Sequence, residues 1–321
     1  MQLNAQGDDS GILTTEGADQ VIAFSTPQNA ILDNYSVYVS DVLNLTDNLL
    51  VNAAIRYDVY ESKSISAADN FTKNFSNWSP KFGLVFQPVK DQVSLFANYQ
   101  NGFGRPQQIA DYAGGIASNY YAKPEQSIQY EGGVKLDLFD GKLSGTLSYF
   151  DITVNDKTIF IGNYVDGYNT QDGKQHNKGF EAQFVLAPLK GWNIIAGYSY
   201  VDSKLVEGNA DFVGLRTEDA GPKNVANLWT SYKFTESFIK GFGLGFGGNY
   251  GSEYATLNRN IAGKFYLPEY LVFGATAFYE VNHFRIAVKV DNLTNEEYYK
   301  GWSTINPQTP RSYLGSVSYN F

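Results

Sequence analysis

The last eleven residues of the chain, Arg311–Phe321, alternate between two kinds of side chain. One side carries Tyr313, Gly315, Val317, Tyr319 and Phe321, and the other carries mostly serine and asparagine. A period of two indicates a β-strand whose two faces have different surroundings. An aromatic face opposite a small polar face is typical of a strand that stands between lipid and a wet lumen.

The same alternation recurs from Asp33 to the end and predicts thirteen strands. Short and long connections follow each other strictly, and the Asp140-Gly141 pair predicts a two-residue hairpin, as Asn282-His283 predicts a tight turn. The long connections are predicted at 62–77, 102–123, 156–175, 205–221, 254–266 and 300–310. This regularity predicts an all-β fold, a transmembrane antiparallel up-and-down β-barrel with short turns on one side and long loops on the other.

The amino-acid composition disfavours several other fold classes and partners. Charged residues make up only 18% of the chain, which disfavours a soluble β-sandwich or lipocalin-like barrel, whose polar face would meet water. No apolar run approaches the roughly eighteen residues of a membrane helix. The net charge of −9 argues against nucleic acid as a partner.

Several segments resemble, in order, the barrel of TonB-dependent outer-membrane receptors. They are Trp78–Pro88, Lys123–Lys135, Lys178–Gln183, Val290–Tyr299 and Pro310–Tyr313 with the terminal Phe321. The pattern is most similar to the ferric-siderophore receptors. Heme, cobalamin and glycan receptors share much of this barrel, so they remain open.

The resemblance implies a larger molecule. Such receptors have 22 strands and a plugged lumen, so thirteen strands leave 22 − 13 = 9 outside this chain. We therefore expect the C-terminal portion of a barrel, about 13 of 22 strands, with the plug domain and its TonB box absent. Residues 1–32 are expected to be an extracellular loop remnant and residues 33–321 the barrel portion, and no signal peptide is found at the N-terminus.

The resemblance also implies a function. Such a receptor lies in the outer membrane of a Gram-negative bacterium, binds a ferric siderophore or similar metal chelate at its extracellular mouth, and imports it with TonB-supplied energy. Its expected partners are the TonB-ExbB-ExbD complex through the missing plug, the outer-membrane assembly machinery through the Phe321 strand, and the lipid membrane. The alternative hypothesis for the function is a passive outer-membrane porin. The alternation of short and long connections separately predicts that Asp140-Gly141 and Asn282-His283 are periplasmic and that Tyr120 and Trp302 are extracellular.

An enzyme is disfavoured because a base must lie near a nucleophile. The alternation places His176 at the end of a long loop and His283 in a short turn, at opposite ends of the barrel. The carboxylates expected near His176, Asp172 and Glu181, are predicted to be solvated or to face the lumen. There is no cysteine and no metal-ligand spacing, so no catalytic residue, metal site or cofactor is predicted.

Ligand binding is expected on the long loops, because aromatic rings pack an organic shell and arginine pairs with anions. The candidate ligand-binding residues are Tyr112, Tyr120, Tyr121, Arg259 and Trp302. The strand-end aromatics Tyr99, Trp192, Tyr200, Trp229, Tyr279 and Phe321 are predicted to form interfacial girdles. Inward-pointing charges, which could line a pore or grip a plug, are predicted at Arg56, Asp58, Lys81, Glu131, Lys135, Asp137, Glu181, Arg285, Lys289 and Asp291.

Overall fold

A computed structural model of the chain describes residues 29–65, 70–105, 108–111, 118–161, 168–302 and 304–320. The chain divides into two compact units. The first comprises residues 1–37 with 57–77, and the second comprises residues 38–56 with 78–321. In the first unit, Lys63 forms ion pairs with Asp33 at 3.6 Å and with Glu61 at 3.0 Å.

Thirteen strands form one antiparallel sheet, and parts of the first three belong to the first unit. Neighbours in the sheet follow chain order: β1 (Asn29–Thr46), β2 (Leu49–Ile65), β3 (Asn70–Val89), β4 (Val93–Phe103), β7 (Gln126–Leu138), β8 (Leu143–Ile161), β9 (Tyr168–Leu186), β10 (Trp192–Glu207), β11 (Asn224–Lys233), β12 (Phe242–Gly251), β15 (Tyr270–Val281), β16 (Phe284–Asp291) and β19 (Ser312–Tyr319). The prediction of thirteen strands in an up-and-down antiparallel order is confirmed.

Three small two-stranded sheets lie within the long connections. They are β5 (Gln108–Asp111) with β6 (Ser118–Tyr121), β13 (Tyr254–Arg259) with β14 (Gly263–Leu267), and β17 (Tyr299–Lys300) with β18 (Asn306–Pro307). A single 3-10 turn, Glu218–Ala220, is the only helical element in the described ranges. None of the described residues forms a helix long and apolar enough to span a membrane.

Two predicted loops are wrong, because strands occupy most of them. Residues 62–77 hold the end of β2 and the start of β3, and residues 156–175 hold the end of β8 and the start of β9. Pairing of β8 with β9 continues through Ile159 and Thr170, with irregular register between Val154 and Ile159. In this extension the polar residues Asp156, Lys157 and Thr158 are followed by the apolar residues Ile159, Phe160 and Ile161, so the contrast of period two disappears from the sequence although the backbone ladder continues.

One turn prediction needs correction and one is confirmed. Leu138 pairs with Leu143, so Asp140-Gly141 lies in a four-residue connection rather than a two-residue hairpin. Its first three residues, Phe139, Asp140 and Gly141, all have positive φ (59°, 56° and 77°). Asn282-His283 is a two-residue turn between the paired residues Val281 and Phe284.

The register keeps the predicted alternation across the second unit. Ile286 pairs with Val317 on one face, while Arg285 pairs with Ser318 on the other. We call these the apolar face and the polar face. The apolar face carries ring contacts between neighbouring strands, with centroids 4.8 to 6.4 Å apart: Phe82–Tyr99, Tyr99–Tyr130, Phe180–Tyr198, Phe180–Tyr200, Phe246–Phe273 and Phe284–Tyr319. The polar face carries eight of the predicted inward charges: Lys81, Glu131, Lys135, Asp137, Glu181, Arg285, Lys289 and Asp291.

The two ends of this sheet differ. The short connections lie at one end, the turn end, and the connections β4–β7, β10–β11, β12–β15 and β16–β19 lie at the other, the loop end. Several of the buried apolar side chains, including Leu205, Tyr254, Leu267 and Tyr270, are at or near the loop end. The connections there are packed structures, and the candidate site lies among them.

Candidate functional site

Hairpin β13–β14 is the centre of the loop end. Strand β13 alternates buried Tyr254, Thr256 and Asn258 with partly exposed residues. A hairpin that buries polar side chains must supply them with hydrogen-bond partners. Those partners come from the β10–β11 connection (residues 208–223) on one side and from the β16–β19 connection on the other.

Asn258 and Arg259 join the hairpin to the 3-10 turn of the β10–β11 connection. The Asn258 N–H donates to Glu218 Oε1 at 2.9 Å, and its side-chain amide donates to the Arg216 carbonyl at 2.8 Å. The Arg259 Nε donates to the same Glu218 oxygen at 3.2 Å, and its guanidinium lies 4.5 Å from the centre of the Phe212 ring. Glu218 is largely buried (13% of its side chain exposed), so its carboxylate is shielded from water in this charge-assisted pair.

The tip of the hairpin is attached in the same way. The Asn260 N–H donates to the Asp211 carbonyl at 2.8 Å, and its side-chain amide donates to the Ala210 carbonyl at 2.8 Å. The next residue, Ile261, donates its N–H to the Asp211 carboxylate. The side chain of Ile261 nevertheless stays 85% exposed, so the tip presents an apolar surface outward.

The side chain of Arg216 is hydrogen-bonded to the backbone of the β10–β11 connection. Its guanidinium donates to the backbone carbonyls of Ala220, Gly221 and Pro222 at 3.1 to 3.2 Å, and also to the carbonyl of Val201. Burial lowers the pKa of Arg216 from its ordinary value, and the nearby Asp202 carboxylate opposes that shift. A guanidinium that binds four carbonyls in a fixed fork holds the backbone of this connection in one conformation.

Tyr254 joins the hairpin to the β16–β19 connection. Its hydroxyl donates to the Gly301 carbonyl at 3.1 Å, and the Gly301 N–H donates back to the hydroxyl oxygen at 3.2 Å. Beside it, the Lys300 ammonium lies 4.6 Å from the centre of the Tyr270 ring and 5.5 Å from that of Tyr298. The three connections thus form one assembly around β13, which we call the loop cluster (residues 208–223, 254–267 and 298–302).

The structure brings some of the predicted ligand-binding residues together. Arg259 belongs to the loop cluster, and Trp302 follows Gly301 with 54% of its surface exposed. Tyr120 and Tyr121 lie in β6, paired with Ile109 and Gln108. That connection is held to β9, because Lys123 and Gln171 exchange two hydrogen bonds at 2.8 and 2.9 Å.

Tyr112 lies outside the described residues. Direct contact of any of these residues with a ligand remains a prediction.

Sequence reasoning missed the residues that assemble the loop cluster. Glu218, Asn258 and Arg216 act mainly through hydrogen bonds to backbone groups and to one another, some 40 residues apart in sequence. Such pairings leave no local pattern. The exposed apolar residues of the hairpin, Ile261 and Phe265, were also missed, although their position in a polar connection was a usable signal.

The histidine prediction is partly wrong. His176 lies within β9 rather than in a loop, and its Nε2 is 2.8 Å from Asp151 Oδ1 on β8. The register places this pair on the apolar-face side, and Asp172 instead accepts a hydrogen bond from the Thr170 hydroxyl at 2.9 Å. Glu181 instead faces the polar side, beside Ser199 at 3.4 Å. In the described ranges no group of three or more His, Asp and Glu could hold a metal ion.

Trp229 is not a girdle residue. It lies in mid-strand on the polar face, paired with Gly247, where its ring covers the glycines of β12. Together with Asn227, Asn249 and the Lys289–Asp291 ion pair (2.8 Å) it lines a cleft of about 450 Å³. Tyr99 and Tyr200 lie on the apolar face, as predicted. Phe321 lies outside the described residues.

Comparison with known proteins identifies the family of this chain. The family model described as "TonB dependent receptor-like, beta-barrel" matches residues 2–293. The chain belongs to this family. Its members are outer-membrane transport receptors of Gram-negative bacteria rather than enzymes, so the predicted family, localisation and non-enzymatic nature are confirmed.

Two relatives and one solved structure give the range of similarity. The chain is 25% identical over 297 residues to the probable TonB-dependent siderophore receptor PiuA of Acinetobacter baumannii, covering 84% of this chain and 38% of that one. It is 29% identical over 250 residues to the metal-pseudopaline receptor CntO of Pseudomonas aeruginosa, covering 76% and 33%.

The ferric-catecholate import receptor Fiu of E. coli K12 superposes with a TM-score of 0.75 at 20% identity, covering 92% of this chain and 45% of that one. At that identity the likeness shows the fold alone. The chain therefore spans less than half the length of these proteins.

Proposed function

We propose that this chain is the C-terminal barrel portion of a receptor that binds a ferric siderophore, or a similar metal chelate, and imports it with TonB-supplied energy. The observation that carries the proposal is the loop cluster. Three connections are fixed to one another by side-chain hydrogen bonds, which gives a preorganised surface at the loop end of the sheet.

The exposed side chains of the cluster suit an organic metal chelate. Ile261, Phe265, Tyr266 and Trp302 offer apolar and aromatic surface for the organic shell. Lys264 and Lys300 are exposed cations at the same end that suit a chelate with net negative charge. Arg259 retains 35% of its side-chain surface beyond the Glu218 pair, so we propose that it positions the hairpin and contacts the chelate as well.

The tyrosines of the β4–β7 connection complete the proposed surface. Tyr112, Tyr120 and Tyr121 are proposed to contact the chelate from a second side. A chelate gripped from two connections loses more freedom on binding, but it also gains contacts that a single loop cannot supply. Single-alanine variants at the three positions would rank their contributions.

The class of ligand rests on the relatives. PiuA is named a siderophore receptor and CntO a metal-pseudopaline receptor, and both names describe a metal held by an organic chelator. A metal chelate is therefore the shared chemistry, and an iron(III) siderophore is our first choice. Heme, cobalamin, a glycan or passive diffusion through a porin are outcomes that the experiment below separates.

The remaining partners are part of the same proposal. The TonB-ExbB-ExbD complex would act through a plug domain encoded before this segment. The assembly machinery would recognise the terminal strand β19, which is last in the described sheet order.

Uptake by the full-length receptor tests the proposal. Cells lacking the gene should lose growth on the ferric chelate, and the gene should restore both growth and uptake of radioactive iron. Trp302→Ala should weaken chelate binding about tenfold, as expected for loss of one aromatic anchor, while Trp302→Phe should retain most of it. Growth that depends on a glycan, heme or cobalamin instead of a ferric chelate would contradict the ligand class, and uptake without TonB would indicate a porin.

A further inference from the structure

Three turns at the turn end each present a large apolar side chain to solvent. Phe139 in the β7–β8 turn is 70% exposed, Leu189 in the β9–β10 turn is 61% exposed, and Phe238 in the β11–β12 turn is 98% exposed. Single exposed apolar residues are common on protein surfaces. Three of them on neighbouring turns form a patch, and a patch needs an explanation.

The three turns are joined to one another. The Ala187 N–H, at the start of the β9–β10 turn, donates to the Lys142 carbonyl of the β7–β8 turn at 2.7 Å. The Lys233 N–H, at the end of β11, donates to the Gly191 carbonyl at 2.8 Å. The other short connections carry polar residues instead, namely Asp47-Asn48, Lys90-Asp91-Gln92 and Asn282-His283. The apolar tips are thus confined to one continuous stretch of the rim.

Two of these turns hold a residue other than glycine at positive φ beside or at the apolar tip. Phe139 has φ of 59° and Ser237, which precedes Phe238, has φ of 81°. A bulky side chain rarely adopts the left-handed region, where glycine or asparagine is the ordinary choice. Hydrogen bonds from Lys142 N to Phe139 O (3.3 Å) and from Lys240 N to Ser237 O (3.2 Å) close these turns. A phenylalanine that a turn does not favour suggests a contact outside the turn.

Each apolar tip is accompanied by a lysine. Lys142, Lys190 and Lys240 lie one to three residues after Phe139, Leu189 and Phe238, and all three are exposed. None of them has a carboxylate within 4.0 Å in the part of the chain that the structure describes. An apolar residue with a neighbouring free ammonium matches the headgroup region of a membrane, where the apolar part enters the acyl boundary and the cation meets phosphate.

The patch continues the apolar face of the sheet. Leu138 and Leu143 flank the first turn on that face, and Trp192 follows the second. Phe234 and Phe242 flank the third, with ring centroids 6.3 Å apart. Since the family lies in the outer membrane, this face meets lipid, and the three tips extend the lipid-contacting surface beyond the strands.

We propose that the three turns form an anchor in the periplasmic leaflet. In this anchor Phe139, Leu189 and Phe238 enter the boundary between headgroups and acyl chains, and Lys142, Lys190 and Lys240 bind the phosphates of anionic phospholipids. The periplasmic side follows from the proposed orientation, in which the loop cluster faces outward.

The depth of insertion can be measured with single introduced cysteines, because these 321 residues contain no cysteine that would compete for the label. In the full-length receptor, single cysteines at positions 139, 189 and 238 would carry an environment-sensitive fluorophore. Position 91, in the polar β3–β4 turn, is the matched control. The receptor would be reconstituted into phosphatidylcholine vesicles with and without phosphatidylglycerol, and quenched by spin-labelled lipid or by aqueous iodide.

We expect lipid quenching at 238, 189 and 139 to exceed that at 91 by at least about threefold, and iodide quenching to show the reverse. Equal iodide access at 238 and 91 would overturn the anchor. A second result would also overturn the anchor. If iodide quenches the labels in vesicles and this quenching disappears only when periplasmic protein is added, the partner of the three turns is a protein. The measurement needs no chelate. The anchor can therefore be disproved while the transport proposal holds, and the transport proposal can be disproved while the anchor holds.

The lysines are tested with a triple variant, Lys142→Gln, Lys190→Gln and Lys240→Gln. The anchor predicts that phosphatidylglycerol deepens the label at 238 in the parent protein but not in the triple variant. Lys90→Gln, in the polar turn, should keep the response of the parent. An equal response to phosphatidylglycerol in the triple variant and the parent would contradict the phosphate contacts.

Discussion

The two ends of the sheet are built by different means. At the loop end, side chains bind backbone: Asn258, Arg216 and Tyr254 hold three connections together. At the turn end, the short connections are closed mainly by backbone hydrogen bonds and by residues with positive φ, among them Phe139 and Gly241. The loop end buries polar side chains, whereas the turn end exposes apolar ones.

We relate this difference to what each end is proposed to contact. Long connections can form a binding surface only if something fixes them, because a flexible loop loses much conformational freedom on binding. Buried hydrogen bonds to backbone fix them without filling the surface. Short turns are already fixed by their length, so their side chains are free to contact lipid or protein.

Backbone strain should dominate at the turn end, and a matched pair of glycines tests this. Gly241 (φ 90°) and Gly263 (φ 94°) have nearly the same φ, but an added Cβ at Gly241 would overlap the Glu280 carbonyl, while Gly263 has nothing within 4 Å. We expect Gly241→Ala to destabilise the protein by about 2–4 kcal/mol and Gly263→Ala by about 1 kcal/mol. Urea unfolding of the full-length receptor in vesicles measures both. Equal losses would show that φ alone matters and that the contact with Glu280 does not.

Removal of one hydroxyl should loosen the loop end. In Tyr254→Phe the ring stays buried, but the Gly301 N–H and carbonyl lose their partner, which costs about 1–2 kcal/mol locally. Hydrogen exchange at the Gly301 amide should then accelerate roughly tenfold or more. Tyr266→Phe, an exposed tyrosine of the same hairpin, is the control and should leave that exchange unchanged. Protection at Gly301 that survives the loss of the hydroxyl would contradict the role given to Tyr254.

The smallest effect is expected at the ion pair between the hairpin and the 3-10 turn. A double-mutant cycle with Arg259→Gln and Glu218→Gln should give a coupling energy of about 1 kcal/mol, because Glu218 is largely buried but Arg259 is partly exposed. Local stability by hydrogen exchange at Asn258 would report it. A coupling near zero would mean that the backbone contacts of Asn258 alone hold the hairpin.

The fold was largely predictable from the sequence, and the loop cluster was not. Strands β16 and β19 alternate cleanly because one face is apolar, so their register could be read from residues such as Ile286 and Val317. The extension of β8 could not, since residues 156–161 run from three polar to three apolar side chains and do not alternate. Arg259 was found as a loop cation, but its partner Glu218 lies 41 residues earlier. Pairings at such separations depend on three-dimensional proximity alone.

The central claim is that the loop end faces outward and binds a metal chelate. It is tested most directly with single cysteines at positions 302 and 141 of the full-length receptor, labelled in intact cells by a membrane-impermeant reagent. We predict labelling at 302 and not at 141, and protection of 302 when the ferric chelate is added. Labelling at 141 but not at 302 would contradict the orientation, and labelling at 302 that no metal chelate reduces would contradict the binding surface.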